Sequence, residues 1–408
     1  MNILSIPYAH GVGGPQTGGH YRYLSLLSEL IKADNQLYVI EASSFRTETH
    51  VQNVEIFRFN EPILPLVKTA LPRDTNPEFV MLMARILREH RIDLIESVHP
   101  SGIAIARIAQ ALLRRKIPVV YATNDVGVEF VSELVASGGE RSKVGDSLRL
   151  SYTFLVEWLA CRFLASHVTV VSEEDRTEMS RRYGINPDKI TVIPSGCTDE
   201  QVPNTAKLDL RRAYGLGDDD RIVFFLGSYH HQPNAEAIRC IINEISPFFE
   251  NRHPRVLFIV AGTGVPLLVE RNVRCVGFVP RLQDYLAMAD VAIAPLKHGA
   301  GTKIKILQYM SAGLPVVTTR KGIRGIHVQD GIEAIVTENV GRDFIDGINF
   351  LLQNESARVA VGKNSKSLAE RDYGWDKIGR RLNGLYRQLA QSESRQIPFD
   401  SAGEQSHY

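Results

Sequence analysis

At 408 residues the chain is too long for one ordinary core, and at roughly 150 residues per domain it points to two or three units, with two as the working number. Hydrophobic side chains at 44% against 23% charged exclude a wholly disordered chain. Near balance between 47 basic and 46 acidic residues excludes the cationic field that gathers nucleic acid, so no nucleic-acid partner is expected and any anion must be held locally.

The amino end has no basic stretch ahead of an apolar one, and no run approaches the ~20 apolar residues that span a bilayer. The expectation is a cytoplasmic protein, with peripheral contact on the cytoplasmic membrane face left open. Cys161, Cys197, Cys240 and Cys275 are dispersed without C-x-x-C spacing, which indicates neither a zinc site nor a disulfide framework. No metal is expected, and the oligomeric state stays open.

Short apolar runs alternate with longer periodic segments, the pattern of strand-helix-strand units and mostly parallel sheets. The first strand, 3–6, runs into a glycine-rich stretch ending in Gly18, Gly19 and His20, and a helix is expected over 21–32. Further strands are expected at 37–40, 94–98, 119–122 and 168–171, the third of these five followed by His99 and the fourth by Thr123, Asn124 and Asp125. Residues 194–215 are polar and poor in helix signals, as a linker would be. From Arg221 the same grammar restarts, with strands at 222–227, 256–261, 273–276, 291–294 and 316–318. A late amphipathic helix is expected over 375–389, and the polar tail from 392 is expected to be disordered. The fold class is therefore α/β, two Rossmann-like domains facing across a cleft.

Two glycine-bearing turns can hold an anion. In the first, Gly18 and Gly19 stand where a strand hands over to a helix, so that backbone amides and the helix dipole can meet a phosphate; the alternative is a flexible connection. The second is sharper: Gly299, Ala300, Gly301 and Thr302 follow a strand and open a helix, with Thr302 read as its N-cap. Lys303 and Lys305 add charge there, unless they form a solvated face. Gln308 shares a helical stripe with Ile304, Leu307 and Ser311, facing inward or into the cleft, where its amide suits a ribose diol or neighbouring backbone.

The run 299–308, continued by Tyr309-Met310-Ser311-Ala312-Gly313 and by Gly322-Ile323-Arg324-Gly325, resembles the donor segment of GT-B-fold retaining glycosyltransferases of the family 4 type. Gly227-Ser228 with Pro233-Asn234, Val276-Gly277-Phe278, Ala289-Asp290-Val291, Val170-Val171-Ser172-Glu173 and Val192-Ile193-Pro194 agree with it in order. The resemblance implies a nucleoside-diphosphate-sugar bound mainly by the second domain and a sugar acceptor held mainly by the first. By that analogy Phe278 and Val279 lie near the base and Gln308 near the ribose. Gly18, Gly19, Gly227, Asn234 and the amides of 299–302 surround the diphosphate. No cofactor is implied, since the nucleotide-sugar is a substrate and the family usually needs no metal. The late helix returns to the first domain, giving expected boundaries of 1–200, 201–220 for the linker, 221–372, 373–391 for the returning helix and 392–408 for the tail.

Three departures bear on turnover. Ala300 and Gln308 stand where many relatives carry glutamates, and a neutral amide forgoes the charge-assisted bond. Asn124 stands where relatives often place histidine; it can orient a hydroxyl but not shuttle a proton, leaving Asp125 for a charge-dependent role. An arginine–lysine pair after the second domain's first strand is replaced by Tyr229, His230, His231 and Gln232, so Lys303 and Lys305 are expected to supply the charge. Catalytic duty then falls to Asn124, Asp125 and Lys303, and acceptor contact to His20 and His99. The expected reaction is retaining transfer of a hexose to an unidentified acceptor. The alternatives are a non-catalytic nucleotide-sugar-binding relative or a nucleotide-sugar epimerase.

Overall fold

A computed structural model describes residues 1–7, 17–43, 51–59, 77–137, 143–198, 204–217, 219–250, 252–253 and 255–394. The glycine-rich stretch before Thr17 and the tail after Ser394 lie outside the described residues.

The first domain contains β1 (Asn2–Ile6), α1 (Gly18–Lys32), β2 (Gln36–Ala42), β3 (Val54–Phe59), α2 (Pro77–Glu89), β4 (Leu94–Ser97) and α3 (Pro100–Leu112). It continues through β5 (Val119–Ala122), α4 (Gly127–Ser137), α5 (Lys143–Leu159), β6 (His167–Val170), α6 (Glu173–Tyr183) and β7 (Ile190–Val192). Its seven strands run in the order β3-β2-β1-β4-β5-β6-β7, every neighbouring pair parallel. Ile3, Leu4 and Val119 are fully buried, as strands covered on both faces require.

After α7 (Asn204–Ala213) the second domain repeats the plan with β8 (Arg221–Leu226), α8 (Gln232–Cys240), α9 (Ser246–Glu250), β9 (Val256–Ala261), β10 (Leu268–Glu270), β11 (Val273–Gly277) and α10 (Leu282–Met288). There follow β12 (Val291–Ala294), α11 (Ile304–Ser311), β13 (Val316–Thr319), β14 (Ile335–Thr337), α12 (Arg342–Gln353), α13 (Glu355–Asp372) and α14 (Trp375–Ser394). The sheet order is β10-β11-β9-β8-β12-β13-β14, with only β10 antiparallel to its neighbour. In each sheet the chain reverses direction beside its first strand, between β1 and β4 and between β8 and β12. Ligands of doubly wound sheets bind at that switch point, outside the carboxyl ends of the strands.

α14 leaves the second domain and packs on α1. Trp375, Ile378, Leu382 and Tyr386 are buried with Tyr23, Leu27 and Leu30 in one cluster on the first sheet. Each such side chain contributes roughly 1.5–3 kcal/mol of burial. The Tyr386 hydroxyl reaches the buried carboxyl of Glu96, which also accepts from Ser5 Oγ at 2.6 Å, so α14 is fastened through the sheet as well as by apolar contact.

Three local expectations give way. Residues 201–220, read as a linker, hold α7, whose Arg211 is buried and donates to Met288 O, Gly217 O and Asp220 O, a tertiary anchor that no local spacing signals. Residues 127–137, where no helix is expected above, form α4. Gly127 N donates to the buried Glu157 carboxylate at 3.1 Å, a cap supplied from α5 that no local spacing signals. α14 runs to Ser394, past the expected start of the tail.

Candidate functional site

The site grows from the loop between β12 and α11. Gly299 and Gly301 have φ of 126° and 68°, a region that disfavours side chains, and they turn the chain tightly enough for Lys303 to fold back on it. Lys303 Nζ donates to the carbonyls of Gly299 at 2.9 Å, Ala300 at 2.8 Å and Gly301 at 2.6 Å. This bracing makes Lys303 itself the N-cap residue of α11, with no side-chain cap bond, so the helix starts at Ile304. Thr302 is therefore not the N-cap. Its hydroxyl oxygen is buried, unpartnered, and pressed toward Gly325.

Lys305, on the first turn of α11, crosses to the first turn of α8. Its Nζ donates to Asn234 Oδ1 at 2.6 Å and lies 4.5 Å from the centre of the Phe225 ring. Asn234 is held in turn by Ser228 O at 3.1 Å, and Gly227 lies so close to its side chain that a Cβ there would overlap it. Neither lysine belongs to a solvated face. Burial lowers both, Lys305 to about 7, with Lys303 adding like-charge repulsion. His231 is lowered too, by burial and then by the two lysines.

The first domain supplies the opposing wall. Thr17 caps α1, its Oγ1 accepting from His20 N at 3.2 Å, and Gly18 faces the end of the Ile304 side chain, so the amino ends of α1 and α11 meet across the cleft. Asn124 and Asp125, beyond β5, lie against Gly301: a Cβ on Gly301 would overlap Asp125 Oδ1 and crowd Asn124 O. Asp125 is braced by Thr123, whose Oγ1 accepts from Asp125 N at 3.2 Å and donates to Asp125 O. Burial raises the Asp125 carboxyl and Lys303 draws it back, the two being the facing charges of the cleft.

Arg22 locks this wall from behind. Its Nε donates to Asn124 Oδ1 at 3.1 Å, Nη1 to Pro194 O at 2.5 Å and Nη2 to Ile193 O at 2.6 Å. Burial lowers it to about 10, against the pull of Tyr386, Glu96 and Asp125. A second tie closes the cleft mouth, where Arg324 pairs with Glu129 of α4 at 2.7 Å and Asp175 of α6 at 2.9 Å. Gly325, at φ 77°, lets the same turn pack against Ser172.

Sequence reasoning found the glycine loop, Asp125 and Lys303, and the fold brings these together. Gly18, Gly227 and Asn234 border the same space. Gly19 follows Gly18 in the exposed first turn of α1, and Ala300 sits between the two left-handed glycines. Gln308 is partly exposed on α11. Phe278, 55% exposed, and the buried Val279 follow β11 on the same strand-end edge. His20 is buried in α1, and His99 caps α3 through Nδ1 with Ser101, so the two flank the first sheet's switch point. Arg22, Glu129, Asp175 and Arg324 were missed as site residues; only Arg324 stood inside a quoted motif, and the partners of all four are distant in sequence. Among the described residues no group of three or more His, Cys, Asp or Glu could hold a metal ion.

Comparison with known proteins agrees with this architecture. The sequence profile of Glycosyltransferase Family 4 matches residues 17–201 and that of Glycosyl transferases group 1 matches residues 220–354. An uncharacterized glycosyltransferase of Methanocaldococcus jannaschii is 24% identical over 54% of this chain and 59% of its own length. A D-inositol 3-phosphate glycosyltransferase of Corynebacterium diphtheriae is 23% identical over 54% of this chain and 56% of its own length. The aligned part thus spans less than two thirds of these curated relatives. Among solved structures, sucrose-phosphate synthase from Thermosynechococcus elongatus superposes with a TM-score of 0.74 at 17% identity, covering 96% of this chain and 100% of that one. Anabaena HepE in complex with UDP-glucose superposes at 0.68 with 18% identity, covering 97% and 100%. With one profile on each domain and a two-sheet GT-B fold matched almost end to end, the chain belongs to the family 4-type glycosyltransferases, the glycosyl transferases group 1.

Proposed function

We propose that the chain transfers a hexose from a nucleoside-diphosphate-sugar to an acceptor hydroxyl with retention at the anomeric carbon. The observation that carries this reading is the meeting of Asn124 and Asp125 with the 299–303 loop across the cleft, where a half-buried carboxyl faces a half-buried ammonium over left-handed glycines. Donor phosphates would lie along the amides of 299–302 and the first turn of α1, with Lys303 and Lys305 supplying positive charge in place of a metal. Phe278 and Val279 would border the base and Gln308 the ribose. HepE, a structural relative, is described in complex with UDP and UDP-glucose, which supports a nucleotide-sugar partner for this fold.

In the proposed step the bond from the anomeric carbon to the leaving phosphate oxygen breaks and the acceptor oxygen bonds to that carbon on the same face. The nucleoside diphosphate leaves with the bonding pair, and the hydroxyl proton is lost. Asp125, moved toward neutral pH by burial, is the group of this wall suited to take that proton, with Asn124 orienting the hydroxyl. His20 and His99, at the first sheet's switch point, would border the acceptor.

The test is a thermal-shift panel of UDP, GDP and ADP with their sugars, followed by product analysis with and without acceptor sugars. Stabilisation by one nucleotide family and acceptor-dependent product with retained configuration are expected. No stabilisation by any nucleotide at millimolar concentration would sink the reading. A non-catalytic binding protein is favoured by Ala300, Gln308 and Asn124; stabilisation without turnover, with turnover gained by Gln308→Glu, is its signature. An epimerase would convert donor in the absence of acceptor.

A further inference from the structure

The outer face of the first domain carries an apolar stripe that no described part of the chain covers. On α5 and the π-helical turn that continues it (Ala160–Leu164), Leu148, Tyr152, Leu155, Leu159 and Phe163 are exposed, Leu148 to 66% and Phe163 to 61%. Spacings of three and four residues put them on one side of the helix. Glu157 points the opposite way, into the domain, where Tyr121, Tyr183 and Gly127 N donate to it. At 3.6 residues per turn Asp146 shares the Glu157 side, so neither acid of α5 stands in the stripe.

Cations frame it. Arg149 and Arg162 are exposed and fall on its two flanks, Arg162 reaching toward α6 through a bond of 3.1 Å to Gly184 O. The apolar face continues onto α3, which Arg107 stitches to the π-helical turn by donating to Leu164 O at 2.7 Å and to Ser166 Oγ at 2.9 Å. There Ile108 and Leu112 are exposed, and exposed Arg114, Arg115 and Lys116 follow them.

An exposed apolar stripe with basic edges and no acid of α5 within it complements an anionic lipid surface: hydrocarbon enters the interface while the arginines meet phosphate headgroups. A symmetric dimer through the same stripe would instead bring like charges together. No helix among the described residues is long and apolar enough to cross a membrane, so contact runs along the helix rather than through the bilayer. We propose that this face docks the protein on an anionic membrane surface, with α5 lying in the headgroup plane. α4, whose Glu129 holds Arg324 at the cleft mouth, packs against α5, so the cleft is presented beside the bilayer. This is independent of which donor the cleft takes.

The full chain is floated with vesicles of phosphatidylcholine alone and with vesicles containing phosphatidylglycerol. Binding to the anionic vesicles, at least about tenfold stronger than to the neutral ones and weakened by salt, is expected. L148E/L155E should abolish it with the unfolding temperature unchanged, because both side chains are exposed, and R149E/R162E should weaken it about tenfold with unchanged circular dichroism, losing only the exposed bond of Arg162 to Gly184 O. Absence of flotation overturns the proposal, and so does equal binding to both vesicle types. Concentration-dependent dimerisation removed by L148E/L155E, with no vesicle binding, would overturn it in favour of a second copy as the occupant.

Discussion

In the proposed complex Lys305 would tie proton binding to nucleotide binding. In the free protein its desolvated ammonium is lowered to about 7, so it is mostly neutral above that pH, whereas a diphosphate beside it favours the charged form. Binding then takes up a proton, and linkage requires affinity to fall as pH rises through 7, by at most about tenfold per pH unit for one proton. Calorimetric titration of the stabilising nucleotide across that range should show the fall, and Lys305→Gln should flatten it; a wild-type affinity independent of pH would contradict the assignment. Arg22 is the other residue whose charge is committed. Arg22→Met leaves the carbonyls of Ile193 and Pro194 and the Asn124 amide without their donor, and urea unfolding should show a loss of roughly 2–4 kcal/mol. Arg22→Lys should recover little, because one ammonium cannot replace a fork that reaches three acceptors.

Among the elements, the strands that sequence reasoning overlooked share a position. β3, β7, β10 and β14 are the outer strands of the two sheets, and each is short or only partly buried. Central strands announce themselves because both faces are covered and the run is apolar throughout, whereas an edge strand needs apolar residues on fewer positions and blends into its flanks. α4 and α7 were hidden for a related reason, since α4 is capped by the buried Glu157 of α5 and α7 is anchored by its own buried Arg211 to carbonyls outside the helix. The 299–302 loop was legible because small residues after a strand are a local signal; the bracing of Lys303 onto the carbonyls of that loop is not. Gly301 tests that loop. Gly301→Ala forces a side chain into φ 68° and onto Asp125, and should cost at least about tenfold in nucleotide affinity. Adding Asp125→Ala relieves the overlap but not the backbone strain, so affinity should return only in part; full recovery would show that the turn's conformation is unimportant.

For the molecule as a whole, the two domains are tied at the cleft mouth by Arg324 and at the back by the chain itself. Arg324→Gln removes the pairs to Glu129 and Asp175 and leaves both cores intact. Small-angle scattering should show a larger radius of gyration with unchanged circular dichroism, and an unchanged radius would mean that the pairs do not hold the cleft shut. At the back, the outgoing and returning crossings run side by side: Cys197 N donates to Tyr373 O at 2.9 Å, and Gly196 lies against Trp375. Opening is thereby confined to swinging about that seam. The returning crossing also sets an order of assembly. Tyr23, Leu27 and Leu30 precede the second domain in the chain, yet the surface that covers them, from Trp375 to Tyr386, follows it. During synthesis the first domain keeps a bare apolar flank while the whole of the second is translated, and it is completed only when α14 leaves the ribosome.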